Sequence, residues 1–239
     1  MIVCLDSGNT RIKWGVHDGT AWLAQGAVAQ AEVGSLAELV ERWPQPDRVM
    51  LANVAGDETG RRIRQHLAAW QPLFEEVRSG PAAAGVTNFY KYPERLGVDR
   101  WCALIGARFL CPSAAVVVMA GTATTIDTLD AEGRFLGGDI LPGIGLMLRS
   151  LAHGTAGLPF AEGHYTSLPR CTDDAIVSGV IEAQAGAIER VHARLAAAGG
   201  NCLMSGGYAE QIASHLVIPY RLAQNLPLEG LKQLALAAR

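Results

Sequence analysis

The chain has 239 residues, 49% of them apolar and 18% charged, with 20 Lys+Arg against 23 Asp+Glu for a formal net charge of −3. That length suits one large domain or two small lobes, and that composition suits a compact fold and excludes a disordered one. The slightly acidic balance offers no basic field for nucleic acid or anionic lipid, and no apolar run approaches the ~18 residues of a membrane span.

The expected partners therefore include neither nucleic acid nor membrane. The opening Met1-Ile2-Val3-Cys4-Leu5-Asp6 has no basic segment before an apolar core, so no secretory signal is expected. The five cysteines are scattered, with no Cys-x-x-Cys pair, and no His-x-x-x-His pair is present. Reduced thiols, a cytoplasmic location and no zinc site follow from that pattern.

In chain order, Ile2 to Leu5 reads as a strand, followed by a tight polar turn, Asp6-Ser7-Gly8-Asn9-Thr10, and a second strand from Arg11 to Val16. Asp18-Gly19 signals a hairpin and a third strand near Thr20 to Gln25. Leu36, Leu39, Val40 and Trp43 have helical spacing, stopped by Pro44. A strand is predicted from Arg48 to Val54, a helix from Thr59 to Trp70, loop from Pro81 to Tyr90, and a helix from Leu96 to Leu110.

The opening pattern then recurs. Ala115 to Met119 is an apolar strand, Ala120-Gly121-Thr122-Ala123-Thr124 a small polar turn, and Thr125 to Leu129 a returning strand. With Gly8 set on Gly121, Asp6 meets Met119, and Asp18-Gly19 falls near Glu132-Gly133. The pattern suggests two related lobes, 1–113 and 114–239; two unrelated hairpins would look similar. Gly137 to Gly143 then leads into a helix from Ile144 to Ala152. A long helix is expected from Thr172 to Ala198, with Thr172 and Asp173 as N-cap and first turn and Gly199-Gly200 as its end. Cys202 to Met204 is a strand ahead of Ser205-Gly206-Gly207, and Leu228 to Ala238 a terminal helix.

Turns built from Gly, Ser, Thr and Asn aim backbone N–H groups at one point and suit phosphate. Asp6 suits Mg²⁺, which takes one or two carboxylates plus phosphate oxygens, and Lys13 adds a cation nearby. Two such turns gripping one nucleotide would clamp its phosphates and exclude water. The same residues are also ordinary turn formers. No Walker A sequence and no Rossmann glycine fingerprint is present, which disfavours a P-loop NTPase and a dinucleotide oxidoreductase. In Gly97-Val98-Asp99-Arg100-Trp101 an acid and a guanidinium open a helix. Asp99 is placed to take a hydroxyl proton and Arg100 to hold an anion, unless the pair is only a surface ion pair on a capped helix. Tyr90 lies seven residues before Gly97, near enough to line the same pocket.

Taken together, Asp6 to Thr10 with Lys13, Gly97 to Trp101, Gly121 to Thr125 with Asp127, Gly137 to Gly143 and Ser205-Gly206-Gly207 resemble the type III pantothenate kinases. The resemblance implies an α/β fold of the acetate and sugar kinase, Hsp70 and actin superfamily: two ribonuclease-H-like lobes, mixed sheets flanked by helices. It implies ATP-dependent phosphorylation of pantothenate to 4'-phosphopantothenate, the first step of coenzyme A synthesis, with ATP and Mg²⁺ as cofactors and a homodimer as the working unit. By resemblance, Asp6, Ser7, Gly8, Asn9, Thr10, Arg11, Ile12, Lys13, Gly121 and Thr122 bind ATP and its phosphates, with Asp6 on the metal. Asp99 is the general base. Tyr90, Gly97, Val98, Asp99, Arg100 and Thr172 contact pantothenate, Thr172 from across a dimer interface. The family's usual aspartate for a monovalent cation (K⁺ or NH₄⁺) is here Met119, whose thioether is a poor ligand for such an ion. A non-catalytic accessory or regulatory member of the same family, or a sugar or acetate kinase, are the alternatives.

Overall fold

The computed structural model describes residues 1–195 and 199–237. The chain divides into two compact units. Unit 1 comprises Met1–Pro112, Gly133–Phe135 and Asn225–Arg239, and unit 2 comprises Ser113–Glu132 and Leu136–Gln224. The sequence alone assigns all of 114–239 to one lobe; by compactness, Gly133–Phe135 and the end of the chain count with unit 1.

The sheet of unit 1 holds β1 (Ile2–Ser7), β2 (Arg11–His17), β3 (Trp22–Ala29), β4 (Arg48–Asn53) and β5 (Phe74–Glu76) in the order β3-β2-β1-β4-β5. The first three run antiparallel, while β4 lies parallel to β1 and β5 parallel to β4. Alternation along β1 decides what each side chain meets. Val3 and Leu5 face one layer with Leu36, Trp43, Ile63 and Trp70. That layer is built on α1 (Ala37–Arg42) and α2 (Asp57–His66). Ile2 and Cys4 face the other, with Cys102 on α3 (Val98–Leu110) and Leu228, Leu231 and Ala235 on α7 (Leu226–Ala237). Asp6, two residues beyond Cys4, follows onto that second face. Helices α3 and α7 pack at glycines. A Cβ on Gly230 would meet the backbone of Cys102, and one on Gly106 would meet the Leu226 carbonyl.

In unit 2 the strands β8 (Ala115–Ala120), β9 (Ala123–Leu129), β10 (Arg134–Pro142, of which Arg134 and Phe135 count with unit 1), β11 (Asn201–Ser205) and β12 (Arg221–Leu222) run in the order β12-β11-β8-β9-β10. β8 is antiparallel to β9 and parallel to β11, which is parallel to β12. Read from β10, this is the strand order of unit 1 repeated. Val116, Val118 and Ala120 face α5 (Thr172–Ala193), where Ile181 and Ile188 complete a core with Ile212 of α6 (Ala209–Ala213). Helix α4 (Ile144–Gly154) packs on α5.

Several elements differ from the sequence reading. Pro81 to Tyr90, expected as loop, holds β6 (Ala82–Ala83) and β7 (Val86–Asn88). They pair across Ala84 and Gly85, whose φ values of 45° and 80° make a two-residue turn of the hairpin type. The helix expected to reach Trp70 ends at His66, and Ala68–Leu73 continues as a 3-10 turn ending at Pro72 and Leu73. Proline's missing N–H and fixed φ end regular helix there. The N-cap of α5 is Cys171 and not Thr172, which is already helical, and no side chain caps that end. The described part of α5 ends at Ala193; Ala196, Ala197 and Ala198 of the expected helix lie outside the described residues, as does Ala238 of the terminal helix. The strand β12 was not expected. Among the described residues no helix is long and apolar enough to cross a membrane.

Candidate active site

The first polar turn joins β1 to β2. Gly8 N–H donates to the Arg11 carbonyl at 3.0 Å and closes it, while Gln30 Nε2 donates to the Gly8 carbonyl at 2.6 Å and to Ser7 Oγ at 3.3 Å. Ser7 and Ile12 are buried, the Ile12 side chain in the core; Asn9, Thr10 and Arg11 are exposed at the tip. Gln30, which the sequence reading did not single out, thus braces the turn from β3's end. Antiparallel register sets Asp6 opposite Lys13.

Asp6 is 7% exposed, and among the described residues its carboxylate has no hydrogen-bond partner. Burial, and then the negative charge of Asp99, raise its pKa to about 6, while Lys13 pulls it down. Two carboxylates more than ninety residues apart in the chain therefore share one field. Asp99 sits in the first turn of α3, where its Oδ1 accepts from Arg100 N–H at 2.8 Å and anions are favoured by the helix dipole. Gly97 leaves it room: a Cβ there would come within 2.7 Å of Asp99 Oδ1. Val98 begins the helix behind it. Cys102, one turn on, feels both carboxylates, and burial followed by their charges holds its thiol neutral.

On the other side of Asp99, Arg100 is buried. Its Nη1 donates to the Tyr90 hydroxyl at 2.9 Å, and its guanidinium lies over the rings of Tyr90 and Phe135, 5.5 and 5.8 Å from their centroids. Asn88 fixes the loop that carries Tyr90: its Nδ2 donates to the carbonyls of Gly80 and Pro93, and its Oδ1 accepts from Tyr90 N–H at 3.0 Å.

In unit 2, Gly121 N–H donates to the Ala123 carbonyl at 3.0 Å, closing the second turn one residue tighter than the first. Gly143 N–H donates to the Thr122 carbonyl at 3.0 Å, and Tyr208 N–H to the Ala120 carbonyl at 3.1 Å. Side chains on Gly143 or Gly206 would strike the carbonyls of this turn. Two further glycine-bearing segments, around Gly143 and Gly206, thus pack on the backbone of Ala120 to Thr122. Met119 lies in one row across the sheet with Thr125 and Ser205. The hydroxyls of both neighbours are buried and, among the described residues, have no hydrogen-bond partner. Asp127 is buried further along β9, opposite Val117.

Thr172 belongs to unit 2. It lines an apolar groove of about 520 Å³ between α4 and α5, with Met147, Leu151 and Gly179.

A sequence model of the type III pantothenate kinases matches residues 2–194. The chain belongs to the type III pantothenate kinase family. A type III pantothenate kinase of Dechloromonas aromatica is 74% identical over 236 residues, which cover 99% of each chain. Among solved structures, a Campylobacter jejuni protein assigned to the Baf family of transcriptional activators aligns with TM-score 0.61 at 21% identity, over 97% of this chain and 96% of its own. Component A of the (R)-2-hydroxyglutaryl-CoA dehydratase of Acidaminococcus fermentans aligns with TM-score 0.52 at 15% identity, over 100% of this chain and 99% of its own. At those identities the two structures speak for the fold alone: two mixed sheets flanked by helices.

For this family member, the residues that sequence reasoning missed are Gln30, Asn88 and Phe135. An amide and a phenyl ring carry no chemical signature by themselves. Only the Asn-to-aromatic spacing Asn88-Phe89-Tyr90 hinted at an Asx turn ahead of Tyr90.

Proposed function

We propose that unit 1 holds the ATP phosphates at the Asp6 to Lys13 turn and the acceptor against Tyr90, Gly97, Val98 and Arg100, with Asp99 as general base. The reaction is the family's: transfer of the ATP γ-phosphoryl group to the primary hydroxyl of pantothenate, giving 4'-phosphopantothenate, the first step of coenzyme A synthesis. The observation that carries this reading is geometric: alternation along β1 puts Asp6 on the sheet face covered by α3, whose first turn carries Asp99, and the Asp99 charge is felt at Asp6.

Phosphoryl transfer through a loose transition state asks for positioning and charge neutralisation more than for covalent chemistry. Asp6 fits Mg²⁺ on its donor chemistry: it is a buried carboxylate without a hydrogen-bond partner among the described residues, and a like charge strains it. Among the described residues no cluster of three or more His, Cys, Asp or Glu is preformed for a metal. That suits an ion whose remaining ligands are phosphate oxygens and water. Mg²⁺, when bound with ATP, neutralises phosphate charge. Lys13, opposite Asp6, adds a fixed positive charge, and the exposed tip at Asn9, Thr10 and Arg11 presents the turn to phosphate. Asp99 has Oδ1 occupied by Arg100 N–H, so Oδ2 is the oxygen that orients the acceptor hydroxyl and takes its proton. Arg100 and Tyr90 hold the acceptor. Gly121 and Thr122 cradle phosphate in the second lobe.

In this reading the ribonuclease-H-like lobes are 1–113 and 114–239, with the last helix returning to the first. The enzyme acts in the cytoplasm as a homodimer, Thr172 reaching a neighbouring copy's acceptor site; its exposure beside an apolar groove supports this. Met119 offers sulfur where a hard oxygen is wanted, so the enzyme either works without a monovalent cation or takes that ion's oxygens from other groups. Retention of Asp6, Lys13 and Asp99 weighs against a non-catalytic accessory role. A coupled ADP-release assay with ATP and Mg²⁺, comparing pantothenate with sugars and acetate, tests the assignment. Activity confined to another acceptor overturns it.

A further inference from the structure

We infer that Phe135 is a positioning residue for acceptor binding, its buried ring holding the Tyr90 ring and the Arg100 guanidinium in one fixed arrangement. This rests on the reading of Tyr90 and Arg100 as the acceptor-binding pair. Phe135 is fully buried, and its ring lies 5.1 Å from that of Tyr90 at 37°. The Arg100 guanidinium lies over both rings and donates to the Tyr90 hydroxyl. Tyr90 and Arg100 come from different elements, a loop and a helix. Phe135 is the third surface that both touch.

Its own placement is tightly fixed. Thr87 N–H donates to the Gly133 carbonyl at 2.9 Å, and Phe89 N–H to the Phe135 carbonyl at 3.1 Å. Phe135 pairs in register with Asn88, the residue that ties Tyr90 N–H and the loop carbonyls. Gly133 has φ +82°, and a Cβ there would strike the Gly85 carbonyl and approach Arg108 Nε at 3.2 Å. Only glycine lets the strand come this close. A guanidinium lying over two aromatic rings keeps its plane, and its N–H fork then points in one direction. That is what bidentate recognition of a planar anion such as a carboxylate needs. Loss of the ring removes one of the surfaces that set the tilt of the Arg100 guanidinium, so acceptor binding weakens while the phosphate turn, built on β1 and β2, is untouched.

The test is steady-state kinetics of Phe135→Leu, normalised to folded protein. KM for pantothenate is expected to rise about tenfold, the scale of one aromatic pair plus one cation–π contact. KM for ATP and kcat should stay within about twofold. A merely structural role would lower apparent kcat through a smaller folded fraction and leave both KM values alone, and that result overturns the inference. In a Tyr90→Phe background the Phe135→Leu effect should shrink, since the two act as one unit; full additivity also overturns it. Tyr90→Phe and Arg100→Lys serve as controls for the reading beneath. If neither raises the pantothenate KM, the acceptor assignment fails; if they do and Phe135→Leu does not, only the positioning role fails. Should Phe135→Leu not fold, the volume-conserving Phe135→Met and the loop variant Asn88→Ser must show the same selective rise. Its absence in both rejects the proposal.

Discussion

Asp6 and Asp99 stand within electrostatic reach of each other on one face of the unit 1 sheet, and burial together with the Asp99 charge lifts Asp6 to a pKa of about 6. The pairing arises because alternation along β1 sends Asp6 to the side where α3 lies. A carboxylate held up by burial, against the stronger pull of Lys13 and with Asp99 adding to the rise, is well suited to receive a cation with its substrate.

The Asp6 pKa predicts a pH dependence. Binding of a cation needs the ionised carboxylate, so kcat/KM for Mg·ATP should fall with unit slope as pH drops below about 6. Raising Mg²⁺ should move that midpoint down. The stability linkage has the opposite sense. The folded pKa lies above the ordinary aspartate value of 3.8, so the native state binds more protons between them. Stability from this group is full below the lower value and declines as pH rises through about 6. Mg·ATP should therefore raise Tm more at pH 7.5 than at pH 5.5. A pH-independent shift measured by scanning fluorimetry would remove Asp6 from the metal.

Asp99→Asn keeps the size and the helix start but cannot take the proton. We expect kcat to fall by at least ~10²-fold with circular dichroism unchanged. A folded variant with near-normal turnover would take Asp99 out of the chemistry.

Met119 makes a prediction about salts. Titration with K⁺ or NH₄⁺ against a tetramethylammonium control should change the rate by less than about twofold. Met119→Asp places a carboxylate between the unpartnered hydroxyls of Thr125 and Ser205. That variant should lose Tm in the absence of K⁺ and regain part of it when K⁺ is added. Strong K⁺ activation of the unaltered enzyme would mean that other oxygens supply a site.

Gly230→Ala probes the α3–α7 contact. The new methyl meets the Cys102 backbone, and overpacking of this kind costs about 1–3 kcal/mol. Urea melts should show that loss with an unchanged m-value. Because α3 carries Asp99 and Arg100, kcat should also drop, while a Gly186→Ala control, open around its Cβ, should do neither.

Much of this protein is local and therefore legible in the chain of letters. The Asp6 to Thr10 and Ala120 to Thr124 turns lie between strands whose apolar runs and glycines mark them, and the matched strand order of the two sheets is the consequence of that internal likeness. The short strands around Ala84 and Gly85 escaped because each is too brief to show a period, and Cys171 displaced Thr172 as N-cap because no side chain caps that end.

Sequence by itself determined the chemistry available: an aspartate after the first strand, an acid and a guanidinium at a helix start, glycines where backbones must touch, and a thioether at Met119. Tertiary structure alone decided which of them meet. The approach of Asp99 to Asp6 depends on α3 lying over one face of the sheet, with α7 packed against it through Gly106 and Gly230. The seating of Phe135 under Arg100 depends on Gly133 and the first two residues of β10 joining unit 1. Contacts between residues distant in the chain are set by packing of whole elements, and no local spacing encodes them.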